Sequence, residues 1–257
     1  PHDFTLADAN PASCEGLSSN TINTPTCSLV SRVLLISNAL RTTVQSGESI
    51  TIRVNSILLP PSTLPTNVFD VRTLMNNYDV DVNSSAIFQA SPGIIVDKDP
   101  LQVSPNSVVG GISTYTISFR NKNPIPSGGK IHIYLPDDGQ IVIADVNNIT
   151  ANTKISVNSI LYTPTTTVDS SVTPNQITIA NPLSTAISSG SSLSIQIPSL
   201  RNPLSTTSTS SFTIVTEDAK AFIIDRIPSG LNLQPNTISP SDFQTVSLNA
   251  LVLNTGT

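Results

Sequence analysis

Residues 181–216 read NPLSTAISSGSSLSIQIPSLRNPLSTTSTSSFTIVT, and residues 38–73 read NALRTTVQSGESITIRVNSILLPPSTLPTNVFDVRT. Laid on each other at an offset of 143, the two stretches share 14 identities over 36 positions without a gap. Shared Ser and Thr inflate that count. The matches Asn38/Asn181, Gly47/Gly190, Ile52/Ile195, Pro60/Pro203 and Phe69/Phe212 do not come from that bias. Val44/Ile187, Ile50/Leu193, Val54/Ile197, Ile57/Leu200 and Val71/Ile214 add conservative apolar matches. A recurrence of this kind marks a duplicated folding unit. Within it Leu193, Ile195 and Ile197 alternate with Ser194 and Gln196. A period of two is that of a half-buried strand.

The same alternation appears outside the repeat. Tyr115, Ile117 and Phe119 alternate with Thr116 and Ser118, and Ile131, Ile133 and Leu135 with His132 and Tyr134. These predict strands at 114–120 and 130–135. A weaker half-repeat relates 116–136 to 177–198, each reading as strand, Asn turn, Ser-Gly, strand. With 20 Pro and 11 Gly and apolar stretches built from Val, Ile, Thr and Ser, helix is disfavoured. The expectation is an all-β chain: two tandem immunoglobulin-like β-sandwich domains at 1–99 and 100–235, and a C-terminal strand at 236–257.

The two copies differ in completeness. Residues 103–136 precede the second copy and have no counterpart before the first, where PHDFTLAD (1–8) already resembles PDDGQIVIAD (136–145). The first sandwich is therefore expected to lack its opening strands. The tail ISPSDFQTVSLNALVLNTGT (238–257) resembles VSPNSVVGGISTYTISFRN (103–121), the opening of a unit. Its alternating Val246, Leu248, Ala250 and Val252 form a candidate donor strand. A sandwich short of strands has an apolar groove and unpaired edges, which something must fill. If the tail of another copy fills it, the contact is heterologous and propagates head to tail.

The segments Tyr-Thr-Ile-Ser-Phe (115–119) and Asn-Pro-Ile-Pro-Ser-Gly-Gly-Lys-Ile-His-Ile-Tyr-Leu-Pro (123–136) resemble the tandem repeats of large extracellular proteins of ciliates and other protists. That resemblance implies immunoglobulin-like sandwiches rich in Ser, Thr and Asn and poor in charge, and carries no catalytic residues. The missing strands also resemble the arrangement of strand-donating pilin subunits. Two sandwich-like units depart from the single unit of chaperone-assembled pilins, so that likeness concerns assembly alone.

Composition excludes several classes. There are 12 basic and 17 acidic side chains among 257, only 11% charged, and a formal net charge of −5. Nucleic-acid binding needs a cluster of Lys and Arg that is missing here. No apolar run approaches the ~18–20 residues of a membrane-spanning helix. Ser and Thr number 67. Solubility thus rests on hydroxyls, amides or attached sugar. Asn83-Ser84-Ser85 and Asn148-Ile149-Thr150 are N-glycosylation sequons. Cys14 and Cys27, with no third thiol, fit one disulfide in an oxidising compartment.

Chemistry-bearing constellations are sparse. Of the two histidines, His2 sits near the terminus, and His132 alternates outward on a strand and is expected to face solvent. No Gly-rich phosphate loop or nucleophile elbow occurs. Asp79, Asp81 and Asn83, and Asp97 with Asp99, are candidate oxygen ligands for calcium, with polar strand and linker as the simpler readings. No metal or cofactor and no enzymatic activity are expected. The expected function is a secreted, glycosylated structural subunit of an extracellular filament, a homopolymer joined by strand complementation. The alternative is a cell-surface adhesin or carbohydrate-binding module forming part of a longer repeat protein.

Overall fold

The computed structural model describes residues 5–6, 13–19, 21, 24–30, 33–41, 43–55, 57–58 and 60–236. It is nearly all β, and it divides into two compact units, Pro1–Ser91 and Pro92–Thr257. The first unit holds β1 (Thr5–Leu6), β2 (Cys14–Gly16), β3 (Thr26–Val30), β4 (Val33–Ser37), β5 (Ile52–Val54), β6 (Ile57–Leu58), β7 (Phe69–Met75) and β8 (Tyr78–Ala86). The second holds β9 (Gly93–Ile94), β10 (Gln102–Ser104), β11 (Ile112–Arg120), β12 (Lys130–Tyr134) and β13 (Val142–Ile143), then helix α1 (Val146–Asn152). After it come β14 (Lys154–Val157), β15 (Ile160–Tyr162), β16 (Thr166–Asp169), β17 (Gln176–Ala180), β18 (Ser192–Arg201), β19 (Thr213–Glu217) and β20 (Ile223–Ile227).

The second unit is a two-sheet sandwich. One sheet runs β10-β11-β18-β14-β15, with β13 also on β18; the other runs β16-β17-β12-β19-β20-β9. The strands β10-β11-β18-β14 over β12-β19-β20 reproduce the ABED and CFG sheets of an immunoglobulin constant-type sandwich. The hairpin β16–β17 adds to the free edge of β12, and β9 adds to β20 in parallel. Alternation drives this. Tyr115, Ile117, Ile195 and Ile197 line one sheet, and Ile131, Ile133, Ile177 and Ile214 the other, each fully buried in one core. Burying each such side chain contributes roughly 1.5–3 kcal/mol.

Polar groups finish the fold where strands cannot. Asp225 is fully buried; its Oδ2 accepts from the backbone N–H of Lys122 (3.0 Å) and Asn123 (2.8 Å), and its Oδ1 from the Asn123 amide (2.7 Å). That pins the turn between β11 and β12. A Cβ on Gly93 would lie 2.7 Å from the Asn123 amide nitrogen and closer still to Asp225 Oδ1, so only glycine passes there. The tight turn between β14 and β15 uses Asn158 and Ser159, both at positive φ, as the hairpin's type I′ geometry demands.

Three expectations change. The boundary lies at 91/92 rather than 99/100, because β9 pairs with β20, Asp99 N–H donates to Ser118 O, and Arg120 N–H donates to Asp97 O. That segment closes the second sandwich and is no linker. Helix α1 was not legible from periodicity; it is seven residues long, with Asp145 capping through Asn148 N–H at 3.0 Å. His132 is on the outer face of its sheet but is only 8% exposed.

Candidate functional site: an exposed apolar face of the first unit

The duplication read in the sequence recurs in the pairing. β7 with β8 corresponds to β19 with β20, and β4 to β17, at the offset of 143. Thr5 and Leu6 pair with Leu58 and Ile57, as Val142 and Ile143 pair with Arg201 and Leu200. Cys14 and Gly16 pair with Val54 and Ile52, so β2 occupies the place of β14 beside β18. Cys27 pairs with Ile36 and Val30 with Val33, just as Thr166 pairs with Ile179 and Asp169 with Gln176, so β3 takes the place of β16. Even a side-chain clasp is repeated. Thr66 N–H donates to Phe88 O while its hydroxyl accepts from Phe88 N–H; Thr209 does the same with Leu233.

What the first unit does not repeat is β9 to β12. In the second unit β11 covers one edge of β18, and β12 lies between β17 and β19. Among the described residues, no strand of the first unit covers that edge of β5 or lies between β4 and β7. The first unit accordingly consists of two-stranded pieces, β1-β6, β2-β5, β3-β4 and β7-β8. The effect on burial is direct. Leu193 and Ile214 are fully buried, whereas their counterparts Ile50 and Val71 are 39% and 56% exposed. Ile52, Val54 and Phe69 are half-buried where Ile195, Ile197 and Phe212 are inaccessible. The matched positions are apolar in both copies, so among the described residues this face has the composition of a core surface and the exposure of an outer one.

Retained residues point the same way. In the second unit the Asn181 amide donates to Pro126 O (2.9 Å), Ser189 Oγ to Lys122 O (2.6 Å), and Gly190 N–H to Asn121 O (2.8 Å). All three hold the turn that joins β11 to β12. The first unit keeps the same residues as Asn38, Ser46 and Gly47, and Gly47 keeps the positive φ of Gly190.

The cysteines lie in this open unit. Cys14 and Cys27 form a disulfide, with Cα atoms 5.9 Å apart. By register they stand where Thr153 and Thr166 stand in the complete sandwich. Those strands, β14 and β16, belong to opposite sheets of the second unit, and in the first unit the disulfide ties the β2–β5 pair to the β3–β4 pair. A 13-residue separation is worth roughly 3 kcal/mol by chain-entropy reasoning.

The other singled-out residues are separate from one another. Asn83 is exposed on β8, its Oδ1 accepting from Ser85 N–H (2.9 Å). Asn148 lies in α1, and its amide donates to Ser199 Oγ at 2.5 Å, which a glycan there would displace. Val246, Leu248, Ala250 and Val252 lie outside the described residues. Asp79 pairs with Arg72 (3.0 Å), Asp81 bonds the Thr73 hydroxyl (3.0 Å), and Asp97 pairs with Arg120 (3.4 Å). Among the described residues no three His, Cys, Asp or Glu side chains gather as metal ligands would. His132 is held on the sheet surface, Nε2 2.9 Å from Glu217 and Nδ1 2.9 Å from the Thr178 hydroxyl and beside the Gln176 amide. Sequence reading missed this network because its partners sit on neighbouring strands. No described helix is long and apolar enough to cross a membrane.

No protein-family model and no curated protein matches the chain. Among solved structures, BslA, described as a bacterial hydrophobin, is 10% identical with a TM-score of 0.31, over 54% of this chain and 96% of that one. The N-terminal domain of the Streptococcus gordonii adhesin Sgo0707 is 13% identical with a TM-score of 0.36, over 89% of this chain. The chain spans 55% of the length of that adhesin domain. At these scores neither likeness assigns a topology or a function.

Proposed function

We propose that this protein is a structural subunit of an extracellular, glycosylated filament, assembled head to tail by β-strand complementation. The first unit is the acceptor and residues 243–253 of a neighbouring copy are the donor. The observation that carries the reading is one repeat found twice, paired as a two-sheet sandwich in the second unit and only as two-stranded pieces in the first. Positions fully buried in the second are half-exposed in the first, at the edges where β11 and β12 would lie. An uncovered sheet edge beside an uncovered apolar face is what a β-strand binds best, through main-chain hydrogen bonds and alternate side chains. Few charges and abundant hydroxyls suit a surface that packs and carries glycan rather than one that binds a charged ligand. Asn83 is the candidate N-glycan site that the fold leaves exposed. Electron microscopy of the full chain beside a chain ending at Asn236 tests this. Filaments in the first and monomers in the second are expected; filaments in both overturn tail donation.

A further inference from the structure

We infer that the tail enters one slot of the acceptor in one register: antiparallel to β5, with Leu248 opposite Val54, Ala250 opposite Ile52 and Val252 opposite Ile50. This rests on the complementation reading above and gives it a specific geometry. In the complete sandwich Tyr115 faces Ile197, Ile117 faces Ile195 and Phe119 faces Leu193. Subtracting 143 from β18 places these partners at Val54, Ile52 and Ile50. The other edge of β5 is taken by β2, so among the described residues one edge of β5 has no strand on it.

The tail aligns with the β10–β11 segment at two anchors, Ser104-Pro105 with Ser239-Pro240 and Asn121 with Asn254. The two-residue difference falls between them, in the loop that turns at Gly110-Gly111 in the second unit. Counting from Asn254, the inward positions of Tyr115, Ile117 and Phe119 become Leu248, Ala250 and Val252, all apolar. Counting from Ser239-Pro240 instead puts Asn254 at the buried position of Phe119. A slip of one residue turns Ser247 and Asn249 inward.

The acceptor agrees with this choice. The buried Tyr115 hydroxyl donates to Asn202 Oδ1 at 2.7 Å. The residue matching Asn202 in the first copy is Leu59, which offers no partner to a phenol. The donor carries Leu248 at the matching position, so the polar pair of the complete sandwich becomes an apolar pair between tail and acceptor.

Cysteine pairing in the full chain tests slot and register. Neighbouring cross-strand pairs alternate between close and wide spacing, so two adjacent pairs are used. Chains carrying Ala250→Cys are mixed with chains carrying Ile52→Cys, and Asn249→Cys with Arg53→Cys; Ala250→Cys with Ile36→Cys on β4 is the comparison. A covalent dimer from one or both of the first two mixtures, lost in the third, is expected. A dimer from the β4 mixture alone overturns the slot and register while leaving complementation standing. Bridging within the Ala250→Cys/Ile52→Cys double variant, with no dimer from mixed single variants, keeps the register and overturns the head-to-tail reading. No bridging anywhere overturns the register. Together with filaments that persist after truncation at Asn236, it overturns both.

Discussion

At the residue scale, the complete sandwich depends on buried polar groups whose partners are fully specified. Tyr115 is inaccessible, and burial raises its phenol pKa well above the usual value. An acid whose folded pKa is raised contributes stability that is intact below its unfolded value, about 10, and is lost as pH climbs above it. Tyr115→Phe is therefore expected to act in opposite directions at two pH values. At pH 7 it removes the bond to Asn202 and leaves a buried oxygen unpaired, costing about 1–3 kcal/mol. Above pH 10 it flattens the decline in stability, by up to about 1.4 kcal/mol per pH unit. Urea unfolding at pH 7 and pH 11 reads both. Burial and the Glu217 charge raise Tyr134 in the same direction, so some alkaline slope stays in the variant.

At the element scale, equal strands have unequal partners. Ile195 on β18 and Ile52 on β5 are the same position of the repeat, one fully buried and one half-buried. Ile195→Ala is expected to cost about 2–5 kcal/mol of folding stability. Ile52→Ala is expected to cost less than about 1 kcal/mol in the unassembled chain, because little covers that side chain before a strand arrives. Its larger effect should be on assembly, seen as a raised critical concentration in sedimentation. Equal losses in folding stability would mean that the first unit is already closed.

The elements also mark where sequence reading works. β11, β12 and β18 were legible because one face of each is buried and the other is not, which writes a period of two into the residues. The duplication was legible for the same reason: apolar positions were kept even where the cover is missing. Helix α1 was not, since seven residues with one buried side chain, Ile149, leave no period, and Asp145 was the only signal. Residues 92–99 read as the end of the first sandwich, with Asp97 and Asp99 in a linker, because their partners, β20 and the end of β11, are distant in sequence. His132 read as exposed because alternation reports which face a side chain is on, and neighbouring strands decide how far it is covered.

At the scale of the whole chain, one folding unit occurs in two states of completion. The complete copy is held by its core and has buried threonines at 153 and 166. The open copy has a disulfide at the matching places. A unit with too little buried surface to hold two layers together is one that gains most from a covalent tie. Among the described residues the first unit pairs as the second does apart from β9 to β12, and the proposal is that a neighbouring copy supplies cover at those edges.

The most direct measurement is to supply those strands in the same chain. A copy of residues 92–136 joined ahead of Pro1 provides β9 to β12 to the first unit. This variant is expected to stay monomeric in electron microscopy and sedimentation, with the amides of β5 and β7 as slow in hydrogen exchange as those of β18 and β19. Filaments that form as before, with β5 and β7 still exchanging fast, would contradict it.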